Sequence, residues 1–215
     1  MRRIQLWAAL AFTGILCAHT PAFAQESAQK AEASDEGGYV IVGGELAGTG
    51  ALAPLERFAD NGFALMPFGG YMFNKWIGAV GHFHWIGIPL KDSDDNLRED
   101  DVAWAIGASV GPRLALPLGG VEIYTTPFSV GLFTGLSPHS PISDTSWGFA
   151  TGGGANLAIT DTVSFGAFCK YNRLYQRAHG VGDVRFVTAG VAITVKLDTP
   201  GLAFGGGSSG PAPPK

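Results

Sequence analysis

The sequence predicts an all-β protein, a closed antiparallel, up-and-down transmembrane barrel of about eight strands. Three observations support this fold. After residue 38, segments of about ten to sixteen residues alternate apolar and polar side chains with the period of two that is typical of strands. The connections between these segments are alternately long and short. No segment after residue 24 offers the roughly 18 uninterrupted apolar residues that a membrane helix needs.

The first 24 residues have the organisation of a secretory signal peptide. A basic start with Arg2 and Arg3 precedes an apolar stretch, and a small-x-small site ends at Ala24. We therefore expect export and cleavage after Ala24; an uncleaved N-terminal anchor helix is the alternative.

The expected domain order places the barrel between two polar segments. Residues 25–37 predict a flexible periplasmic leader. The Gly/Ser/Pro-rich residues 199–215 predict a disordered tail. The chain then divides into a signal peptide (1–24), the leader (25–37), an outer-membrane barrel (38–198) and the tail (199–215).

Charge and cysteine content exclude some classes of protein. Without Arg2 and Arg3, 14 − 2 = 12 Lys and Arg face 18 Asp and Glu, which gives a mature net charge of 12 − 18 = −6. No basic run is present, so nucleic-acid binding is not expected. Cys169 is the only cysteine left after cleavage, so an intramolecular disulfide is not possible.

The last predicted strand, 184–197, shows the membrane pattern most clearly. One face is apolar and the other is small or polar, as expected where one face meets lipid and the other the lumen. The apolar face consists of Val187, Ala189, Val191, Ile193, Val195 and Leu197. The predicted strands as a set comprise residues 39–50, 62–73, 76–90, 101–116, 121–133, 146–159, 163–176 and 184–197.

The other strands repeat this division, with the first three less clear. Outward positions include Val42, Leu46, Phe63, Leu65, Trp104, Val110, Tyr124, Phe128, Val130, Trp147, Phe165 and Tyr171. Strand 76–90 is apolar on both faces. We place Phe83 and Trp85 outward because the alternative aims His82 and His84 into lipid.

The connections predict which end of the barrel faces which compartment. Residues 74–75, 117–120 and 160–162 are short, as periplasmic turns are, whereas the intervening connections are longer. Eight strands then place both chain ends on the periplasmic side.

The alternative is a soluble periplasmic β-sandwich or lipocalin-like barrel, whose outer surface would need more charge than the 15% of charged residues provides.

Residues 170–197, KYNRLYQRAHGVGDVRFVTAGVAITVKL, look like the closing hairpin of a small outer-membrane barrel. Over residues 38–198 the chain resembles the eight-stranded family that includes the transmembrane domain of outer-membrane protein A and outer-membrane protein X. The resemblance implies outer-membrane lipid, lipopolysaccharide and the outer-membrane assembly machinery as partners of a monomer. Family members usually end on a terminal aromatic in the last strand, whereas here Leu197 is followed by the tail.

The predicted lumen carries a polar network that fills the narrow interior of an eight-stranded barrel. We expect Glu45, as the sole deep carboxylate, to pair with at least one of Arg113, Lys170 or Lys196, because buried charges need partners. The predicted network consists of Glu45, His82, His84, Ser109, Arg113, Asn156, Lys170, Asn172 and Lys196.

The lumenal histidines are the most metal-like pair in the sequence. His82 and His84 share a face, but a symmetrical hairpin sets them opposite Ser109 and Gly107, neither a good third ligand. We therefore expect hydrogen bonding and no metal or other cofactor. The acidic segment 91–101 begins like a calcium loop but lacks the required Gly and the final Glu.

Catalysis is not expected either. A lipid A deacylase or acyltransferase would need Ser, His and an acid at the outer rim. Residues of these three types occur in the loops, but a catalytic triad needs a rigid support that loops lack. The loop residues include His139, Ser140, Asp144, His179 and Asp183. The favoured function is a non-catalytic outer-membrane barrel that contributes to envelope structure or surface interaction. The alternatives are a lipid-modifying enzyme and a narrow conduit or binding barrel for a small solute.

Overall fold

The computed structural model describes residues 38–53, 55–57, 59–89, 102–136, 145–175 and 183–198. The predicted signal peptide, leader and tail, and the acidic segment 91–101, lie outside the described residues. None of the described residues belongs to a helix long and apolar enough to cross a membrane.

Eight strands form one closed barrel, in which each pairs antiparallel with the next and β8 pairs with β1. This confirms the predicted fold class, and the predicted strands match with small shifts at their ends. The strands are β1 (Tyr39–Ala51), β2 (Gly62–Met72), β3 (Ile77–Pro89), β4 (Val102–Leu118), β5 (Val121–Gly135), β6 (Ser146–Ala158), β7 (Val163–Tyr175) and β8 (Val184–Asp198).

The two ends of the barrel differ in their connections. Residues 73–76, 119–120 and 159–162 connect strands at one end, called here the turn end, where β1 begins and β8 ends. At the turn between β4 and β5, Gly119 has a φ of 65°, a conformation that glycine adopts without steric cost. The longer connections lie at the opposite end, called here the loop end.

The strands separate an apolar outer surface from an interior of mixed apolar and polar side chains, because successive side chains point to opposite faces. On β8, Ile193 is 52% exposed whereas its neighbour Thr194 is 2% exposed. On β3, Phe83 and Trp85 face outward and both histidines face inward, as predicted. The large apolar side chains exposed on the outer surface include Val42, Leu46, Phe63, Leu65, Val110, Phe128, Val130, Trp147 and Phe165.

The predicted outward position of Tyr124 is wrong, because β5 contains a bulge. Thr126 pairs with Gly152 and Ser129 with Ala150, so two residues of β5 oppose a single residue of β6. The two residues are Pro127 and Phe128. Since one extra residue reverses the alternation, Phe128 faces outward as predicted, whereas Tyr124 is 5% exposed and faces inward.

Candidate functional site in the barrel lumen

The centre of the lumen holds an ion pair between β1 and β7. Lys170 Nζ donates to Glu45 Oε2 at 2.5 Å, and both residues are buried. The predicted pairing of Glu45 with a lumenal cation is therefore present. Gly152, opposite Lys170 on β6, leaves room for this arrangement, since a Cβ there would lie 2.7 Å from Lys170 Cγ.

His82 of β3 completes this central cluster, which we define as Glu45, His82 and Lys170. Lys170 Nζ lies 2.9 Å from His82 Nε2, and His82 Nε2 lies 3.7 Å from Glu45 Oε1. An ammonium group can only donate hydrogen bonds. The geometry therefore suits a neutral His82 that accepts at Nε2 and carries its proton at Nδ1.

His84 is satisfied by a different partner. His84 Nε2 lies 2.8 Å from Ser109 Oγ, and its ring lies 5.0 Å from that of Phe133. Along the β3–β4 pairing, His82 faces Ser109 and His84 faces Gly107, as predicted. A cavity of about 10 Å³ lies between these histidines, Ser109 and Lys170, which is about the least that one water molecule needs.

A second cluster of charges lies nearer the turn end and consists of Arg113, Glu122, Asn156 and Lys196. Arg113 Nη2 donates to Glu122 Oε1 at 2.6 Å, and Lys196 Nζ lies 3.5 Å from Glu122 Oε2. Asn156 Nδ2 donates to Glu122 Oε1 at 3.3 Å. The Arg113 guanidinium also lies 3.7 Å from the centre of the Tyr124 ring, a cation–π distance.

The expectation that Glu45 is the sole deep carboxylate is therefore wrong. Glu122 also faces the lumen, and it pairs with Arg113 and Lys196, two of the three cations considered as alternative partners of Glu45. Strict alternation along β5 places Glu122 outward, because it does not allow for the bulge at Pro127. The bulge reverses the faces of the strand on either side of it. The proline was the available signal, since a proline inside a strand pattern marks an edge or a bulge.

A layer of apolar side chains lies in the lumen at the loop end. Leu55, from the short 3-10 turn Leu55–Arg57, is fully buried. Two backbone hydrogen bonds fix the connection that carries it: the Leu52 amide donates to Arg185 O, and the Asp60 amide donates to Pro89 O. The other buried apolar side chains of this layer are Ile86, Ile88, Phe133, Leu174, Val184 and Phe186.

Of the nine predicted lumenal residues, eight are buried and one lies at the rim. The Lys196 side chain is 38% exposed and lies near the turn end. Asn172 joins neither charged cluster, and its Nδ2 donates to Thr188 Oγ1 at 3.3 Å. The nine residues therefore form two charged clusters, the His84–Ser109 pair and one separate amide.

The structure places few of the loop residues considered for catalysis. His139, Ser140, Asp144 and His179 lie outside the described residues, and Asp183 forms an ion pair with Arg173. Among the residues that are described, no group of three or more His, Cys, Asp or Glu is arranged to hold a metal ion.

Comparisons with known proteins agree with this architecture. The family model for the outer membrane protein beta-barrel domain matches residues 8–196. Neisserial surface protein A has a similar structure, with a TM-score of 0.56 and 19% identity over 75% of this chain and 100% of that one. OprG from Pseudomonas aeruginosa aligns at a TM-score of 0.48 and 15% identity, over 77% of this chain and 98% of that one. Ail of Yersinia pestis, solved with the heparin analogue sucrose octasulfate, aligns at a TM-score of 0.46 and 15% identity, over 75% of this chain and 99% of that one. Among curated proteins, none matches the chain.

Proposed function

Since the chain belongs to the family of outer membrane protein β-barrel domains, we propose that it is a non-catalytic, non-conducting barrel that contributes to envelope structure or surface interaction. Its lumen serves as a structural core, and its loop end faces the outside of the cell. The observation that carries this proposal is the packing of the described lumenal side chains into two charged clusters and an apolar layer. The cavity beside His82 and His84 measures about 10 Å³.

A conducting path is disfavoured by the way the lumenal charges are paired. An eight-stranded barrel is just wide enough for its own side chains to fill. The central cluster connects β1, β3 and β7 across the interior, so ions would have to break the buried contact between Glu45 and Lys170 to pass. Beyond it, Leu55 and its apolar neighbours offer no polar groups to replace an ion's hydration shell.

The outer surface suits a barrel that is held in lipid. Apolar side chains from every strand are exposed around the barrel, including Leu46 at 58% and Leu132 at 61%. In a soluble protein such a continuous apolar surface would promote aggregation. We include in this proposal the export signal with cleavage after Ala24 and the periplasmic position of the leader and tail.

Fractionation and electrophoresis test the membrane part of the proposal. We expect the protein to be recovered with outer membranes and to migrate differently with and without boiling, because a folded barrel resists detergent until it is heated. Recovery in the soluble periplasmic fraction would overturn it.

Planar-bilayer recordings test the claim that the lumen does not conduct. We expect no stepwise conductance from refolded protein under conditions in which a general porin opens channels. Discrete steps that disappear when the protein is left out would favour the conduit alternative. For the enzyme alternative, mass spectrometry of lipid A from cells with and without the protein should show the same acyl chains.

A further inference from the structure

Two arginines lie side by side on the outer surface near the loop end, between β7 and β8. Arg173 and Arg185 are directly paired across the two strands, and both side chains are partly exposed. Asp183 lies next to them. Arg173 Nε donates to Asp183 Oδ2 at 2.8 Å and Arg173 Nη2 contacts the same oxygen, so Asp183 is engaged mainly with Arg173.

Among the described residues, Arg185 is held less closely than Arg173. Its Nη2 lies 3.8 Å from Asp183 Oδ2, which is beyond hydrogen-bond distance. Its Nε is buried and has no hydrogen-bond partner among the described residues. Among the residues that the structure describes, two guanidinium groups thus share one carboxylate, which gives a local excess of one positive charge and planar donors suited to an anion.

The height of this arginine pair on the barrel corresponds to a membrane surface. From Arg173 to Val163, near the turn end, β7 rises by roughly 33 Å at the usual strand rise. With the usual tilt of membrane barrels, this is about 25 Å along the membrane normal, the height of the apolar band. Arg173 and Arg185 therefore lie where the hydrocarbon region ends and the head groups begin.

Aromatic rings next to the arginines support this position. The rings of Trp147 and Tyr175 stack with their centres 4.1 Å apart, and Tyr175 lies two residues nearer the loop end than Arg173 along β7. The Arg173 guanidinium lies 4.7 Å from the centre of the Tyr175 ring. Tryptophan and tyrosine are enriched at membrane interfaces because their rings are both apolar and polar.

We propose that Arg173 and Arg185 bind the phosphate of a lipid head group in the leaflet at the loop end. This inference rests on the proposed function, because it requires the barrel to span a membrane. A phosphate group has several acceptor oxygens, so it can accept from the partly exposed guanidinium of Arg185 while its charge offsets the excess positive charge. Trp147 and Tyr175 flank the site at head-group depth.

Native mass spectrometry of the refolded protein, released from lipid nanodiscs, measures lipid retention directly. In discs of phosphatidylcholine with a minority of phosphatidic acid, we expect preferential retention of phosphatidic acid. Arg185→Gln should lower that preference at least tenfold. The matched control is Lys75→Gln, which removes one positive charge at the turn end. Arg185→Lys, which keeps the charge but loses the planar donors, should give an intermediate preference.

Several outcomes would overturn the inference. One is retention by Arg185→Gln equal to that of the unsubstituted protein, and another is an equal loss in Lys75→Gln, which would indicate general charge attraction. Displacement of the lipid by millimolar inorganic phosphate would also overturn it, because the site would then recognise free phosphate. Failure of the unsubstituted protein to insert into nanodiscs would instead refute the proposed function itself.

Discussion

Glu45 is the residue on which the central cluster depends. It is 2% exposed, and it is the only carboxylate that contacts Lys170 and His82 among the described residues. Breaking a buried ion pair by removing one partner strands the other charge, which costs more than the pair itself contributes.

We predict that Glu45→Ala lowers the free energy of unfolding by about 3–5 kcal/mol, because Lys170 is left as an uncompensated buried cation. The measurement is urea unfolding of the refolded barrel in lipid vesicles, followed by fluorescence. Adding Lys170→Met should restore part of the loss. Glu56→Ala, which removes an exposed carboxylate on the 3-10 turn, is the control and should leave the midpoint nearly unchanged. A midpoint for Glu45→Ala equal to that of the control would contradict the prediction.

At the scale of the elements, regular alternation made most of the barrel predictable from the sequence. A strand that separates lipid from lumen must alternate strictly, so each outward and inward position on β8 followed from its composition. The opposition of His82 and Ser109 followed from assuming a symmetrical hairpin, which the β3–β4 register bears out. No comparable rule gave the cross-lumen contact of Glu45 with Lys170 in preference to Arg113, because it depends on how the closed barrel arranges distant strands.

β5 shows where alternation alone fails. The bulge adds one residue to this strand, so Glu122 and Tyr124 point into the lumen although counting back from Phe128 places them outward. The charge itself was a further clue, because a carboxylate facing lipid is costly and Glu122 had no other place to go. The sequence therefore predicted Arg113, Asn156 and Lys196 of the second charged cluster as lumenal residues, but not Glu122.

We predict that the barrel still folds when Pro127 is deleted. Without the extra residue, Phe128 follows Thr126 directly, so strict alternation keeps Glu122 and Tyr124 inward and Phe128 and Val130 outward. The contrasting variant is deletion of Gly190 from β8, whose pairing with β1 and β7 has no bulge, so one half of that strand would turn to the wrong face and the barrel should not fold. The measurement is the change in electrophoretic mobility on boiling: loss of the heat-modifiable band in the Pro127 deletion would refute the role given to the bulge.

At the scale of the whole molecule, both ends of the lumen carry buried apolar side chains, such as Met72 and Val80 toward the turn end and Leu55 at the loop end. The two ends differ in that Lys196 of the second charged cluster is partly exposed near the turn end. On the outside, the central band of the barrel is apolar, and Cys169 lies exposed there between Gly153 and Ala189.

We predict that Cys169 is protected from a charged, impermeant maleimide while the barrel is in vesicles, and that it reacts with this reagent once the barrel is unfolded in urea. From Val163, Cys169 lies about 15 Å along the membrane normal at the usual rise and tilt, well inside the apolar band, which the charged reagent does not enter. Leu136→Cys in a Cys169→Ser background places the thiol at the loop end, where Leu136 is 55% exposed, and should react in both states. Mass spectrometry measures the labelling, and rapid reaction of Cys169 in the folded barrel would place it in water.

The pairing of β1 with β8 has a consequence for the order in which the molecule forms. Tyr39 pairs with Asp198 and Ala51 with Phe186, so the first strand synthesised must wait for the last. Until then β1 and β7 each present an open edge, which lipid does not tolerate because unpaired amides and carbonyls find no partners there. Pairings so distant in sequence also form slowly. Insertion should therefore follow completion of the chain, with the unfinished sheet sheltered from both water and lipid until its two ends meet.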